Sequence, residues 1–223
     1  MKSATDKLIF GYWAVRGRSG MIRNLLAYCE VPYEERSYKE PADWFQGDKF
    51  KLGLTYPNIP YIVDGETKIT GSIAILHYIA MKANRKDLIG DTDEKKIRIF
   101  EAMNAREDLR DALRTLVWTK GDFEAEKEEL FGKGRAKLLL SQFNDVLKDR
   151  DWLVGSLSIS DFALCDNLDM VYDMDKGKLE VYPNLVKYRE RFLAIPQIKS
   201  LQESDRFFKN WYRKNTATWN NAS

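Results

Sequence analysis

The sequence predicts a small mixed α/β domain followed by an all-helical domain. Residues 1–83 alternate between short apolar runs, typical of strands, and segments with helical spacing. A polar, turn-rich segment follows at residues 84–93 and is predicted to be a linker. Residues 94–223 contain helical patterns and no convincing strand. These three observations predict a two-domain chain in which the sheet lies entirely in the first domain.

The first domain is predicted to follow the order β-α-β-α-β-β-α. Its elements are a strand at 7–13, a helix capped by Ser19, a strand at 33–38, an irregular helical turn at 41–51, a hairpin within 61–69 and a helix at 72–83. A strand, a crossover helix and a second strand indicate a parallel pair with a right-handed crossover. The hairpin would add antiparallel strands to the same sheet.

The hairpin at residues 55–72 organises this domain. Pro60 lacks the N–H that a central strand needs, so it fits the first residue of a strand or an edge. Asp64-Gly65 is a strong signal for a two-residue type I′ turn. The helix that begins near Ser72 would offer unpaired N–H groups to a carboxylate. A cis bond before Pro60 would turn the N–H and C=O of Ile59 toward a peptide-like ligand, whereas a trans bond would leave an ordinary proline turn.

The second domain is predicted to consist of helices alone. They are expected from Thr92 or Asp93 to about 118, across 123–147 with an interruption at 132–134, and at 161–174, 182–193 and 198–204. Ser158 and Asp161 have the spacing of a capping box. The polar residues 216–223 are expected to be loose.

Composition places the chain among ordinary globular proteins. It has 223 residues, 44% hydrophobic and 31% charged, and its formal net charge of +2 is too small to indicate nucleic acid or an acidic membrane as a partner. No apolar run approaches a membrane span, and the polar start lacks a signal-peptide core. Cys29 and Cys165 are expected to be free thiols in a reducing, cytoplasmic compartment. A single histidine, His77, cannot form a zinc cluster with them, so no metal site is predicted.

Five stretches then identify a family at the expected spacing. They are Gly11-Tyr12-Trp13 with Arg16-Gly17, Lys49-Phe50-Lys51-Leu52-Gly53-Leu54, Pro57-Asn58-Ile59-Pro60-Tyr61 with Val63-Asp64-Gly65, Lys68-Ile69-Thr70 with Ser72, Ala74-Ile75-Leu76 and Tyr78-Ile79-Ala80, and Trp152-Leu153 through Asp161. The sequence resembles the cytosolic glutathione transferases, most closely the mu class. The resemblance covers almost the whole chain. It implies a thioredoxin-like first domain, a helical second domain and a dimer.

The resemblance assigns the central chemistry to Tyr12. A thiol near its reference pKa of about 8.5 is only a few per cent thiolate at neutral pH, so glutathione must be helped to ionise. Tyr12 matches the tyrosine whose hydroxyl donates to the sulfur in the mu class, and phenols, with pKa values near 10, remain donors at pH 7. Without the neighbouring motifs, an aromatic core residue at the end of a strand would be the simpler interpretation.

Further site residues follow from the same resemblance. Glutathione would be held by Trp13, Trp44 and Lys49 at its glycine end, by Asn58, Ile59 and Pro60 at the cysteinyl unit, by Gly71 and Ser72 at the γ-glutamyl carboxylate, and by Asp108 at the glutamyl amine in the partner subunit. Surface charge for Lys49, packing for Trp44 and a simple helix cap for Ser72 are the alternative interpretations. The electrophile would meet Val15, Arg18, Arg114 and Trp118. Tyr56 occupies the place of the aromatic residue that plugs the partner subunit.

Several positions depart from the mu-class pattern. Gly71 replaces a glutamine, and Pro41-Ala42-Asp43 stands where an arginine is expected before Trp44. The electrophile pocket is unusually polar, with Arg18, Asp111 and Arg114 in place of apolar residues. We therefore expect a divergent homodimeric enzyme that conjugates glutathione, a co-substrate and not a cofactor, to electrophiles in detoxification. A glutathione or apolar-ligand binding protein and a glutathione-dependent isomerase remain alternatives; a thiol-disulfide reductase would need a cysteine after the first strand.

Overall fold

The structure is a computed structural model that describes residues 7–213 and 216–219. In these residues the first domain contains a four-stranded sheet in the order β2-β1-β3-β4. The strands are β1 (Leu8–Trp13), β2 (Tyr33–Tyr38), β3 (Tyr61–Asp64) and β4 (Thr67–Thr70). β1 is parallel to β2 and antiparallel to β3, and β3 is antiparallel to β4. The predicted mixed sheet is therefore confirmed.

The helices of the first domain are close to those predicted. They are α1 (Gly20–Tyr28), a π-helical turn at Asp43–Asp48 and α2 (Ser72–Lys82), followed by a 3₁₀ turn at Lys86–Ile89. Ser19 precedes α1, but its hydroxyl donates to the carbonyl of Arg16 at 2.8 Å and does not cap the helix N–H groups. The irregular helical turn predicted at 41–51 corresponds to the π-helical turn.

In the described part of the second domain, only helices are found. They are α3 (Asp93–Val117), α4 (Phe123–Gly132), α5 (Arg135–Val146), α6 (Ile159–Met174), α7 (Lys176–Glu180), α8 (Pro183–Leu193) and α9 (Pro196–Gln202). The break between α4 and α5 falls at the predicted Gly-Lys-Gly. The short α7 was not predicted. No helix within the described ranges is both long enough and apolar enough to cross a bilayer.

The sheet lies between two apolar clusters, because successive side chains of a strand point to opposite faces of the sheet. Leu8 and Phe10 face the large core, which also contains the apolar sides of α1 and α2. On the opposite face, the ring of Tyr61 lies so close to β1 that a Cβ on Gly11 would approach it to 2.1 Å. Only glycine fits at this point of β1, directly before Tyr12.

The hairpin turn differs from the prediction by one residue. Asp64 is still in β3 and pairs with Thr67, so the turn consists of Gly65 and Glu66. Of these two residues only Gly65 has a positive φ, of 59°, which argues against type I′, since that type requires positive φ at both positions. The carboxylate of Asp64 instead accepts from Tyr78 and Lys82 of α2, each at 2.5 Å. These tertiary contacts explain why Asp64 belongs to the strand.

The capping box before α6 is present as predicted. The carboxylate of Asp161 accepts the backbone N–H of Ser158 at 2.7 Å and the N–H of Leu153 at 3.0 Å, together with the hydroxyl of Tyr188 at 2.8 Å. α6 is buried along most of its length and packs against α1 and α3. Through α1, the helical domain therefore supports the strand and loop that carry Tyr12.

Candidate active site

Predicted site residues from three strands meet at one edge of the sheet. Gly11 of β1 pairs with Tyr61 of β3, and Tyr61 pairs in turn with Thr70 of β4. Tyr12 follows Gly11, and Ser72 lies two residues beyond Thr70. The register therefore brings the end of β1, the start of β3 and the start of α2 to the same edge.

Tyr12 is held so that its own proton remains available. Its side chain is 8% exposed, and its oxygen accepts the backbone N–H of Arg18 at 3.0 Å. That bond uses a lone pair of the hydroxyl and leaves the O–H to donate. None of the described residues accepts a hydrogen bond from the O–H of Tyr12. Gly17, at φ 45°, curls the loop around the phenol so closely that a Cβ there would lie 2.7 Å from the hydroxyl oxygen.

The loop that carries Arg18 is anchored by a buried ion-pair network. The guanidinium of Arg16 is 5% exposed and bonds Asp166 at 3.2 Å and also Asp169, both on α6. Burial lowers the pKa of Arg16, but the neighbouring carboxylates of Asp169 and Asp166 raise it more, so the pKa lies above its ordinary value. The indole of Trp211 stacks on the same guanidinium, 4.2 Å from ring centroid to Cζ. Arg16 therefore ties the loop after β1 to α6 and to the C-terminal segment.

At the predicted glycine end, Lys49 and Trp13 are connected through an aromatic ring. The ammonium of Lys49 lies 5.2 Å from the ring of Phe45, whose ring lies 6.1 Å from that of Trp13. Lys49 has no ion pair with a carboxylate in the described residues. Trp44, in contrast, is 1% exposed and stacks on Tyr61 at 5.8 Å, as the packing interpretation expected.

The loop before β3 and the start of α2 line the middle of this edge. The Ile59–Pro60 bond is cis, and the carbonyl of Pro60 accepts the N–H of Gly71 at 3.2 Å. The exposed Asn58 turns its side-chain oxygen onto the N–H of Ile59 at 2.9 Å. Ser72 is the first residue of α2 and is 7% exposed, while Gly71 precedes the helix with φ 90°. A Cβ at position 71 would meet no atom within 4 Å, but a glutamine there would need this unfavourable backbone conformation.

Charged residues border Tyr12 on the side of the helical domain. Arg18 contacts Glu107 of α3 at 2.5 Å and Asp111 at 3.9 Å, and Asp111 also contacts Arg114 at 3.3 Å. Glu107 in addition pairs with the fully buried Arg106 at 2.5 Å, and burial lowers the pKa of that guanidinium to about 10. Charged side chains are therefore present at the positions predicted to line the electrophile pocket, and they include Glu107. Contact of these positions with an electrophile stays a prediction.

The C-terminal segment closes over this side of the site. Backbone N–H groups of Arg16 and Gly17 donate to the carbonyls of Asn210 and Trp211 at 2.7 and 3.1 Å. Tyr212 follows and packs edge-on against Trp118, with ring centroids 4.4 Å apart. Burial raises the pKa of Tyr212, so its hydroxyl stays protonated at neutral pH.

The segment continues past Tyr212 along the end of α3. The indole of Trp118 donates to the carbonyl of Thr216 at 2.8 Å, and Thr218 and Trp219 bond the carbonyl of Val117. The expectation that the tail is loose from residue 216 is wrong for 216–219, because these backbone bonds fix them on α3; residues 220–223 lie outside the described ranges.

Three further residues were predicted to contact a substrate or the partner subunit. Val15 is 6% exposed and belongs to the core. Asp108 is exposed and pairs with Arg135 at 2.6 Å within the same chain. Tyr56 is 78% exposed, which suits a residue that meets a partner subunit. The glutathione contacts predicted for Asp108 and for the residues of the sheet edge stay predictions.

Sequence reasoning missed Glu107 and Tyr212. Glu107 could have been found, because Glu107, Asp111 and Arg114 recur at helical spacing on one face of α3. Tyr212 has no such signal, since the segment after α9 is irregular and its position depends on backbone bonds to the loop after β1.

Comparisons with known proteins agree with this architecture. Residues 9–81 match the family described as glutathione S-transferase, N-terminal domain, and residues 107–205 match glutathione S-transferase, C-terminal domain. Glutathione S-transferase 2 of Gallus gallus is 40% identical, covering 95% of this chain and 96% of that protein. Glutathione S-transferase Mu 1 of Bos taurus is 36% identical, covering 96% and 99%.

A solved structure supports the same assignment. The crystal structure of the glutathione S-transferase Blo t 8 has a TM-score of 0.79 and 28% identity, covering 89% of this chain and 93% of that one. The chain belongs to the glutathione S-transferase family, and its relatives place it with the mu class.

Proposed function

We propose that this chain is an enzyme that ionises the thiol of glutathione through Tyr12 and conjugates it to electrophilic small molecules. The observation that carries the proposal is the hydrogen bond from the N–H of Arg18 to the oxygen of Tyr12 at 3.0 Å. This hydrogen bond fixes the phenol of Tyr12 at the edge of the sheet and leaves its O–H free to donate to a ligand. If the sulfur of glutathione lies beside this hydroxyl, the thiolate accepts a hydrogen bond from the O–H of Tyr12. That bond stabilises the thiolate relative to the thiol.

The proposed reaction mainly requires that the thiol of glutathione be ionised and that the thiolate be positioned beside the electrophile. The thiol proton leaves to solvent, the thiolate attacks the electrophile to form a C–S bond, and the leaving group departs with its electron pair. Lys49 supplies a point charge for the glycine carboxylate, and the start of α2 at Ser72 supplies N–H groups for the γ-glutamyl carboxylate. In this proposal glutathione is a co-substrate, and no metal or further cofactor takes part. Detoxification in the cytoplasm is the proposed setting.

Two assays on purified protein test this function. Glutathione affinity capture measures binding, and conjugation of 1-chloro-2,4-dinitrobenzene measures turnover. We expect both in the wild type, and we expect Tyr12→Phe to be captured while its turnover is largely lost. Capture of the wild type without any turnover would favour the binding-protein alternative. Absence of both would contradict the proposal.

We also propose a homodimer in which Tyr56 enters the partner subunit. The support is the exposure of this side chain and a cavity of about 780 Å³ between the first half of α3 and the end of α5, lined in part by Ala102 and Phe143. An aromatic ring in such a pocket would bury apolar surface at the centre of an interface. Sedimentation equilibrium should give a dimer for the wild type and a weaker dimer for Tyr56→Ala; equal association of both would exclude Tyr56 as the anchor.

A further inference from the structure

The face of α3 beside Tyr12 carries paired charges. Glu107, Asp111 and Arg114 lie on one side of the helix at i, i+4 and i+7, and Arg18 approaches them from the loop after β1. We refer to these four residues as the charged face. The buried Arg106 also contacts Glu107, whereas Arg110 lies 3.9 Å from Asp166 of α6. The two guanidinium groups of the charged face balance its two carboxylates, so its preference for an anion or a cation depends on which group remains unpaired.

The carboxylates of the charged face are already paired. Glu107 contacts Arg106 through one oxygen and Arg18 through the other, each at 2.5 Å. The Oδ1 atom of Asp111 lies 3.3 Å from Nε of Arg114 and 3.9 Å from Nη2 of Arg18. A cationic substrate would therefore compete with guanidinium groups for both carboxylates.

Arg114 has unused hydrogen-bonding capacity. Within the described ranges its side chain bonds only Asp111, through Nε, and its two terminal amino groups have no hydrogen-bond partner. Its side chain is 55% exposed, and the same Asp111 oxygen links it to Arg18, whose backbone N–H holds the hydroxyl of Tyr12. A planar guanidinium with free amino groups is well suited to bind a carboxylate.

We propose that the charged face selects electrophiles that carry a carboxylate, and that Arg114 is the residue that binds this group. The inference rests on the proposed glutathione conjugation and adds the substrate class. It also explains why a pocket for electrophiles contains Arg18, Asp111 and Arg114 where apolar side chains would suit neutral aromatic compounds.

A matched pair of substrates isolates the charge. The probes are 4-chloro-3,5-dinitrobenzoate and its methyl ester, which share the reacting carbon. In both, the C–S bond to glutathione forms at that carbon, the C–Cl bond breaks, chloride leaves with the electron pair and the thiol proton goes to solvent. The carboxylate withdraws electrons less strongly than the ester, so each kcat/KM value is first divided by the uncatalysed rate constant of that substrate with glutathione. The ratio of the two normalised values, benzoate to ester, then reports on recognition of the carboxylate.

The experiment compares the full-length wild type with Arg114→Gln, Arg114→Lys and Lys199→Gln. Lys199 lies on α9 and is 66% exposed, and among the described residues its carboxylate partner is Glu203, at 4.0 Å. It therefore controls for loss of one positive charge elsewhere. We expect the normalised benzoate-to-ester ratio of the wild type to exceed one. Arg114→Gln should lower the benzoate-to-ester ratio about fivefold, mainly through KM, because the lost hydrogen bonds are charged but half exposed.

Two further variants and a change of salt concentration test whether the effect comes from the charge of Arg114. Arg114→Lys should restore part of the ratio, Lys199→Gln should leave it unchanged, and added salt should reduce it by screening. An unchanged ratio in Arg114→Gln, or a normalised ratio of one or less in the wild type, would overturn the inference. Turnover of the ester would in that case still support the proposed function. No turnover of either substrate by the wild type would contradict the proposed function, and the inference would fall with it.

Discussion

Replacing Gly17 by alanine should impair catalysis far more than it impairs folding. Gly17 has a φ of 45°, and a Cβ at this position would lie 2.7 Å from the hydroxyl oxygen of Tyr12 and 2.9 Å from its ring. Ordinary contacts begin near 3.4 Å, so the hydroxyl would have to move by about 0.7 Å. The backbone that leads to Arg18, which holds this hydroxyl, would be disturbed by the same change.

The substitution Gly17→Ala should have two effects, one on stability and one on the rate of catalysis. An alanine in the left-handed region costs about 1–2 kcal/mol of unfolding free energy. In a chain of this size that corresponds to a fall in Tm of about 2–8 °C. A displacement approaching 1 Å at a reacting group can cost on the order of a hundredfold in rate, so kcat should fall at least about tenfold.

Gly65→Ala is the matched control. Gly65 also has a positive φ, of 59°, but a Cβ there meets nothing within 4 Å, and the residue lies in the hairpin turn. Thermal unfolding followed by circular dichroism should show similar losses for both variants. Conjugation of 1-chloro-2,4-dinitrobenzene should fall only in Gly17→Ala. Full turnover in Gly17→Ala, or an equal loss in Gly65→Ala, would refute the role of close packing around Tyr12.

Three further predictions address binding, stability and thiol chemistry. Ser72→Ala should raise the Kd for glutathione about tenfold in calorimetry, because a hydrogen bond to a charged carboxylate is lost; an unchanged Kd would leave Ser72 as a helix-start residue only. Asp161→Asn should lower the unfolding free energy in urea by about 2–4 kcal/mol, because the amide group cannot accept all the bonds that the carboxylate accepts from Leu153, Ser158 and Tyr188; a loss below about 0.5 kcal/mol would contradict this. Burial raises the pKa of Cys29 to about 11, so its labelling by Ellman's reagent should be slow at pH 7.5 and should accelerate about tenfold per pH unit up to that pKa; rapid labelling at pH 7.5 would show that the thiol is not protected.

Local sequence signals were sufficient where one segment determines its own structure. The apolar runs and the proline at position 60 predicted the strands, and the spacing of Ser158 and Asp161 predicted the capping box. The hairpin turn was misplaced by one residue because Asp64 is fixed by Tyr78 and Lys82, which lie on a different element. A turn motif contains no information about such partners.

The surroundings of the site depended on tertiary contacts. The burial of Trp44 follows from its stacking on Tyr61, a residue of another strand. The C-terminal segment around Tyr212 has no periodic pattern, and its position follows from backbone bonds to the loop after β1. The resemblance pointed to Tyr12 and Arg18 individually, whereas the link from Tyr12 through Arg18 to Glu107 depends on contacts between the loop after β1 and α3.

The most direct test of the account is the pKa of the glutathione thiol when bound. It can be measured by titrating the ultraviolet absorbance of the thiolate in the complexes of the wild type and of Tyr12→Phe. We predict that the pKa of the bound thiol lies about two units below the reference value of about 8.5 in the wild type, a difference of about 2.7 kcal/mol, and returns toward 8.5 in Tyr12→Phe. Equal pKa values in the two complexes would contradict the role assigned to the Tyr12 hydroxyl.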